Sequence, residues 1–222
     1  MAEISEDKGQ VILVHGLWMN APTLLPLAKR LEGQGYRVQR HGYASCRKSL
    51  DENALELAEI IRRTRLAGPV QLLGHSLGGL VALSAILAAG PPPGGASMRL
   101  VMLGSPFEGS HCVNTLSHAS VLAPVFGHTL PEWLARPRPG VPEWLEVGVI
   151  AGRHSVGLGH VFVPSLPEPN DGVVAVVETV VPGCRDALCL DVSHMGMLLS
   201  GRCAHQAGQF FEAGRFLHDS GQ

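Results

Sequence analysis

The segment Gly-His-Ser-Leu-Gly-Gly at residues 74–79 constrains the fold more than any other part of the chain. It joins residues 70–74, an apolar run that predicts a buried strand, to residues 77–89, which are apolar on nearly every side and predict a buried helix. A side chain at Gly74 or Gly78 would collide with the neighbouring strand or helix, so the pattern predicts a tight turn that lifts Ser76 above the sheet. Gly-x-Ser-x-Gly occurs once in the sequence and is typical here of a nucleophile elbow; the alternative is a plain turn with an inert serine.

The segments around this turn alternate between predicted strands and predicted helices. Apolar β-branched runs predict strands, and apolar residues at three- and four-residue spacing predict helices. The predicted strands are residues 10–14, 36–40, 70–74, 99–104, 147–151 and 187–192, and the predicted helices are residues 21–32, 50–66, 77–89 and 203–217. This order predicts an α/β fold with a mainly parallel central sheet and helices on both faces. Residues 173–177 fit either a strand or a short helical turn.

Residues 105–141 interrupt this alternation with short apolar pieces separated by prolines and glycines. We expect them to form a small cap or lid-like insertion of short helices over the sheet. A second domain is not expected, because 222 residues suit one domain that spans residues 1–222.

The composition argues against several kinds of partner. The chain has 17 Lys and Arg against 19 Asp and Glu, so it lacks the basic excess that nucleic-acid binding favours. Its longest mostly apolar stretch, residues 77–89, falls short of the roughly 18 residues of a membrane-spanning helix, so we expect no integral membrane association. The acidic, polar start is unlike a secretory signal and predicts a cytoplasmic protein with reduced cysteines, although Cys184 and Cys189 are near enough in sequence to pair. The oligomeric state stays open.

The first predicted strand ends in His-Gly-Leu-Trp, residues 15–18. Its backbone amides would lie near Ser76, because the carboxyl ends of parallel strands meet at one edge of the sheet. We expect the amides of Leu17 and Leu77 to form an oxyanion hole for a tetrahedral intermediate. The alternative is an ordinary turn, since His-Gly also occurs at residues 41–42.

These motifs, together with Gly-Ser-Pro-Phe-Glu-Gly-Ser at residues 104–110, resemble the α/β-hydrolase superfamily, in particular its compact lipase and esterase branch. The resemblance covers the chain from residue 11 to about residue 217 and implies the α/β-hydrolase fold. It also implies that a catalytic acid follows the serine and that a histidine comes last in the chain.

His194 fits the last place, because it follows the final predicted strand and precedes the closing helix. For the acid, the resemblance favours Asp171 in Pro-Asn-Asp-Gly, a turn after the strand at residues 147–151. Asp191 is the next alternative, three residues before His194, and Asp186 is a further one. A plain Asn-Asp-Gly turn would also explain Asp171.

The resemblance therefore implies a serine hydrolase of carboxylic esters (EC 3.1.1) that needs no metal or organic cofactor. Its substrate would be a small-molecule or lipid ester with a short or medium acyl chain. The residues expected to contact substrate are Trp18, Met19, Phe107 and Met195, and those expected to roof the site are Val113, Leu116, Val121, Leu122, Val125 and Phe126. The alternative is that these residues simply belong to the core. A thioesterase or acyltransferase with the same triad, and a non-catalytic binding protein of this fold, are the alternatives.

Overall fold

The computed structural model describes residues 8–117, 126–156, 163 and 165–218. Its six strands form one parallel sheet in the order β2-β1-β3-β4-β5-β6. The strands are β1 Gln10–Val14, β2 Arg37–His41, β3 Val70–His75, β4 Met98–Leu103, β5 Leu145–Gly152 and β6 Asp186–Leu190. The predicted α/β-hydrolase fold, with its parallel central sheet, is confirmed.

Helices cover both faces of this sheet. They are α1 Leu25–Glu32, α2 Leu50–Thr64, α3 Leu77–Ala89, α4 His111–Ser117, α5 Thr129–Ala135, α6 Gly196–Leu199 and α7 Gly201–Ala213. On one face, α2 and α3 pack on side chains such as Ile12, Leu72 and Val147. On the other face, α1, α6 and α7 pack on the alternate side chains of the same strands, such as Leu13 and Leu73. Neighbouring residues of a strand face opposite sides of the sheet because the side chains of a strand alternate in direction.

Most predicted elements differ from the observed ones by one or two residues at their ends, and three differ for a specific local reason. The predicted helix at residues 21–32 begins as a 3₁₀ turn, Ala21–Leu24, because Pro26 has no N–H to donate to an α-helical bond. The closing helix ends at Ala213 and not at residue 217, because Gly214 adopts a left-handed conformation (φ 67°). The ambiguous residues 173–177 form no strand and instead lead into a 3₁₀ turn, Val176–Thr179.

The described part of the 105–141 segment forms α4 and α5. Helix α5 is held against α2, where the Nδ2 of Asn53 donates to the Oγ1 of Thr129 over 3.0 Å and Arg136 pairs with both carboxylate oxygens of Asp51. The predicted roof residues Val121, Leu122 and Val125 lie outside the described residues.

All five cysteines are free, so Cys184 and Cys189 are not paired. Over the described residues, the longest apolar helices are too short to cross a bilayer.

Candidate active site

The turn at Ser76 holds its backbone in a conformation that few non-glycine residues adopt, with φ 55° and ψ −127°. It forms because the flanking glycines leave no room for side chains. A Cβ on Gly74 would overlap the backbone of Gly79, and one on Gly78 would overlap the carbonyl oxygens of Val14 and His15. Helix α3 begins immediately after Ser76, so its first amides point towards the serine.

The backbone of β4 fixes the other side of this turn. The N–H of Ser76 donates to the carbonyl oxygen of Leu103 over 2.8 Å, which attaches the turn to the end of the adjacent strand. A Cβ on Gly16, in the loop after β1, would come within 3.1 Å of the Cβ of Ser76. The loop after β1 and the last residue of β4 therefore both lie against the turn at Ser76.

Asp171 and His194 form a buried pair beside this turn. Nδ1 of His194 lies 2.7 Å from Oδ2 of Asp171, and the backbone N–H of His194 donates to the carbonyl oxygen of Asp171 over 2.8 Å. The second carboxylate oxygen of Asp171 accepts the N–H groups of Val173 and Val174, at 3.0 and 2.7 Å. Asp171 is fully buried and His194 is 6% exposed, so the contact between the carboxylate and Nδ1 is shielded from solvent.

The two alternative acids contact other histidines. The exposed carboxylate of Asp191 is 3.6 Å from Nδ1 of His154, and Asp186 pairs with His218 at the amino end of β6. Of the three candidate aspartates, the structure brings only Asp171 to His194.

His75 has a position that the sequence did not indicate. Its ring is completely buried, and its Nε2 is 2.9 Å from the backbone carbonyl oxygen of His194, with the two imidazole centroids 4.6 Å apart. Burial lowers the pKa of His75 to about 3, so the ring is neutral and carries one N–H. Because Nδ1 has no hydrogen-bond partner among the described residues, the N–H belongs on Nε2, where it donates to His194.

Glu178 is a second group that the sequence did not indicate, because it follows the ambiguous residues 173–177 and belongs to no motif. Its carboxylate accepts the N–H of Ala175 over 2.8 Å and the N–H of His111 at the start of α4. Burial raises the pKa of this carboxyl group above its ordinary value. Glu178 therefore connects α4 to the loop that holds Asp171.

A cavity of about 310 Å³ opens above Ser76 and His194. It is lined by Leu17 and by three residues that the sequence predicted to contact substrate, Trp18, Met19 and Met195. Trp18 is 61% exposed, and its backbone is left-handed (φ 59°), which is unusual for a bulky residue. Roof residues Val113, Leu116 and Phe126 also line the cavity.

Phe107 does not line the cavity, although the sequence predicted that it would contact substrate. It is 1% exposed, and its ring packs edge-on against Trp133, with the centroids 5.4 Å apart. The Nε1 of Trp133 donates to the carbonyl oxygen of Phe107 over 3.0 Å. Phe107 thus anchors α5 to the protein body, and Pro106 is the residue of this turn that faces the cavity.

In the part of the chain that the structure describes, no group of three or more His, Cys, Asp or Glu side chains could hold a metal ion.

The chain belongs to the alpha/beta hydrolase family, whose sequence pattern matches residues 11–206. No curated protein matches the sequence. Among solved structures, the mature lipase BlEst2 of Bacillus licheniformis is similar, with a TM-score of 0.70 and 17% identity over 93% of this chain and 92% of that one. A metagenomic carboxyl esterase has a TM-score of 0.70 and 16% identity over 95% and 77% of the two chains.

The RedJ thioesterase of the prodiginine pathway in Streptomyces coelicolor has a TM-score of 0.59 and 13% identity over 92% of this chain and 86% of that one. At these identities the likeness establishes a fold shared with lipases, esterases and a thioesterase. A shared fold does not define the substrate, which depends on the residues of the site.

Proposed function

We propose that this protein is a serine hydrolase that cleaves carboxylic esters through an acyl-enzyme, with Ser76 as nucleophile, His194 as general base and Asp171 as orienting acid. The observation that carries the proposal is the buried 2.7 Å contact between His194 and Asp171, with Ser76 and His194 on the wall of one cavity. The likeness to lipases and esterases supports it.

The reaction starts when His194 takes the proton of Ser76 at Nε2 and Oγ attacks the ester carbonyl carbon. The tetrahedral oxyanion receives hydrogen bonds from the amides of Leu17 and Leu77. Collapse of this intermediate breaks the bond to the leaving alcohol, which departs with the proton held by His194. Water then loses a proton to His194, attacks the acyl group and releases the carboxylic acid, and Ser76 regains its proton.

Asp171 keeps His194 in the productive tautomer. Its Oδ2 accepts a hydrogen bond from Nδ1–H, which leaves Nε2 unprotonated and available to Ser76. The carboxylate also stabilises the imidazolium that forms in each half-reaction. Because the amides of Val173 and Val174 hold the other oxygen, the carboxylate does not need to reorient during turnover.

Short or medium acyl chains suit this site. The cavity of about 310 Å³ lies at the lower end of the roughly 300–1,000 Å³ typical of ligand pockets. The described part of residues 105–141 supplies part of its wall, as expected of a small cap.

A thioesterase or acyltransferase with the same residues is the second candidate, favoured by the likeness to the RedJ thioesterase. Acyl thioesters, and esters supplied with a competing alcohol, distinguish these activities from ester hydrolysis by their products.

The experiment is hydrolysis of p-nitrophenyl esters from acetate to palmitate by the wild type, by Ser76→Ala and by Ser97→Ala, a control at an exposed serine. Loss of the nucleophile should lower kcat by about 10⁶-fold with an almost unchanged Tm, whereas Ser97→Ala should match the wild type. A fluorophosphonate probe should label only the proteins that retain Ser76. Ester turnover in pure Ser76→Ala protein would contradict the proposal, and a folded wild type that neither turns over esters nor takes up the probe would favour a binding protein.

A further inference from the structure

The wall of the cavity carries almost no polar side chains. Apart from Ser76, Ser110, His75 and His194, every described residue on it is apolar, and none is Asp, Glu, Lys or Arg. An ionic group on a bound substrate would therefore meet no Asp, Glu, Lys or Arg side chain among the described residues of this wall.

Two buried carboxylates lie directly behind one part of this wall. Val173 and Val174 face the cavity, and their N–H groups donate to Asp171. Cys112 also faces the cavity, while the amide of the preceding residue donates to Glu178. Protein donors already occupy both carboxylates, and the negative charge that a carboxylate carries when ionised repels an anion on this side of the cavity.

Moving a charged group from water into an apolar cavity is unfavourable unless a partner compensates it. A substrate cation has to lose its hydration, but the carboxylates behind the wall attract it. A substrate anion has to lose its hydration and is also repelled. The cavity therefore disfavours both charges, and it disfavours anions more.

We propose, as an inference that rests on the proposed function, that this site takes esters that carry no charge on either side of the scissile bond. Among charged esters, it rejects those bearing a carboxylate more strongly than those bearing a quaternary ammonium group. The proposal concerns charge at nearly constant shape, so isosteric substrate pairs test it directly.

The first pair varies charge on the acyl side: the p-nitrophenyl monoester of glutaric acid against p-nitrophenyl 5-methylhexanoate, in which an isopropyl group replaces the carboxylate. The second pair varies charge on the alcohol side: acetylcholine against 3,3-dimethylbutyl acetate. We expect kcat/KM to favour the neutral ester by about 100-fold in the first pair and about tenfold in the second. Ratios near one in both pairs, or a stronger rejection of the cation, would overturn the inference.

The salt dependence of these ratios distinguishes an effect of the cavity from an effect of charges on the protein surface. Between about 0.05 M and about 0.5 M salt, a ratio set inside the cavity should change by less than about twofold, because screening acts mainly on exposed charges. If the preference for the neutral ester disappeared in high salt, the effect would come from charges on the protein surface, and the inference would be overturned.

A substitution at Leu116 should change the kcat/KM ratio of the first substrate pair. Leu116 is partly buried on α4 and lines the cavity, so Leu116→Lys places a cation on the cavity wall. The flexible stem of the lysine lets this cation approach a bound substrate. We expect the glutarate monoester to gain about tenfold relative to its neutral isostere, whereas Leu116→Gln, a polar control of similar length, leaves the ratio unchanged. An equal gain in both variants would show that polarity rather than charge governs the ratio and would overturn the inference.

The same assays keep this inference apart from the proposed function. Turnover of the neutral esters that is lost in Ser76→Ala, with no discrimination against charge, would leave the proposed function standing and overturn the inference alone. The absence of Ser76-dependent turnover for all four esters would overturn both.

Discussion

The two sides of the cavity differ in the chemistry that they present. On the polar side, Ser76, His75, His194 and Asp171 are fixed by hydrogen bonds to strand ends and to one another. On the apolar side, residues such as Trp18, Val113, Leu116, Phe126 and Leu130 meet the cavity with hydrocarbon or aromatic surface alone. Substitutions on the polar side should therefore change rate or folding, and substitutions on the apolar side should change which substrates are used.

After the loss of Ser76 itself, the largest expected effect comes from Asp171→Asn. The Asn oxygen can still accept the amides of Val173 and Val174, so the loop should keep its conformation. The Asn amide cannot accept from Nδ1–H of His194, which favours the wrong tautomer and should lower kcat by about 10⁴-fold. Asp191→Asn, at an exposed aspartate, is the control and should retain wild-type kcat. Equal activity in both variants would remove Asp171 from the mechanism.

The glycines of the elbow should matter for folding more than for selectivity. Gly78→Ala brings a methyl group onto the carbonyl oxygens of Val14 and His15, and overpacking of this kind should cost about 3 kcal/mol of unfolding free energy. Gly109→Ala is the control, because a Cβ there meets nothing within 4 Å. Chemical denaturation of the two variants measures the difference. Equal stabilities would mean that the turn relaxes more readily than its close contacts indicate.

His75→Phe keeps a ring and removes the N–H that donates to the carbonyl oxygen of His194. If His75 positions His194, kcat should fall by about 30-fold with KM nearly unchanged, in line with the loss of one buried hydrogen bond. His75→Gln, which can still donate, should recover part of that loss. His205→Gln, on the exposed face of α7, is the control. A change in KM alone would point to a role in substrate binding instead.

The same variant should alter the acid sensitivity of folding. The pKa of His75 is about 3 in the folded protein and about 6.5 in the unfolded chain, so below pH 6.5 the unfolded state binds the extra proton. The stability that neutral His75 contributes is complete above pH 6.5 and is lost as the pH falls towards 3, with a slope of up to about 1.4 kcal/mol per pH unit. His75→Phe should flatten this part of the stability curve, measured by denaturation at each pH. Parallel curves for the two proteins would contradict this assignment.

The smallest expected effect comes from Trp18, the apolar-side residue with a left-handed backbone. Trp18→Ala and Trp18→Gly both remove the indole, but only glycine adopts this conformation without strain. The Gly variant should be more stable than the Ala variant by about 1 kcal/mol, and both should show similar rises in KM. If Ala is as stable as Gly, the loop changes conformation once the indole is gone.

Local patterns predicted the fold and the elbow well. The elbow depends on neighbouring glycines, and the alternation of strand and helix is visible in each segment on its own. The contact of Asp171 with His194 depends on the path of a loop, so the sequence could only rank the three candidate aspartates. The partner of His75 is 119 residues away, and no spacing indicates it.

Phe107 shows the limit of reasoning from strand ends. The sequence places it just beyond β4, close to the site, but it does not give the direction of its side chain. After Ser105 the chain turns so that Pro106 faces the cavity and Phe107 faces Trp133 of α5. The partner in α5 decides the direction, and that contact is tertiary.

The end of β4 also limits how this site could be redesigned. The carbonyl oxygen of Leu103 holds the turn of Ser76, while a Cβ on the next residue, Gly104 (φ 54°), would lie 2.9 Å from Oδ2 of Asp171 and 3.2 Å from Nδ1 of His194. Two consecutive residues thus set the height of the serine and the clearance for the Asp171–His194 pair. A protein engineer who moves the proposed triad to another sheet should therefore transplant residues 103–104 as one unit.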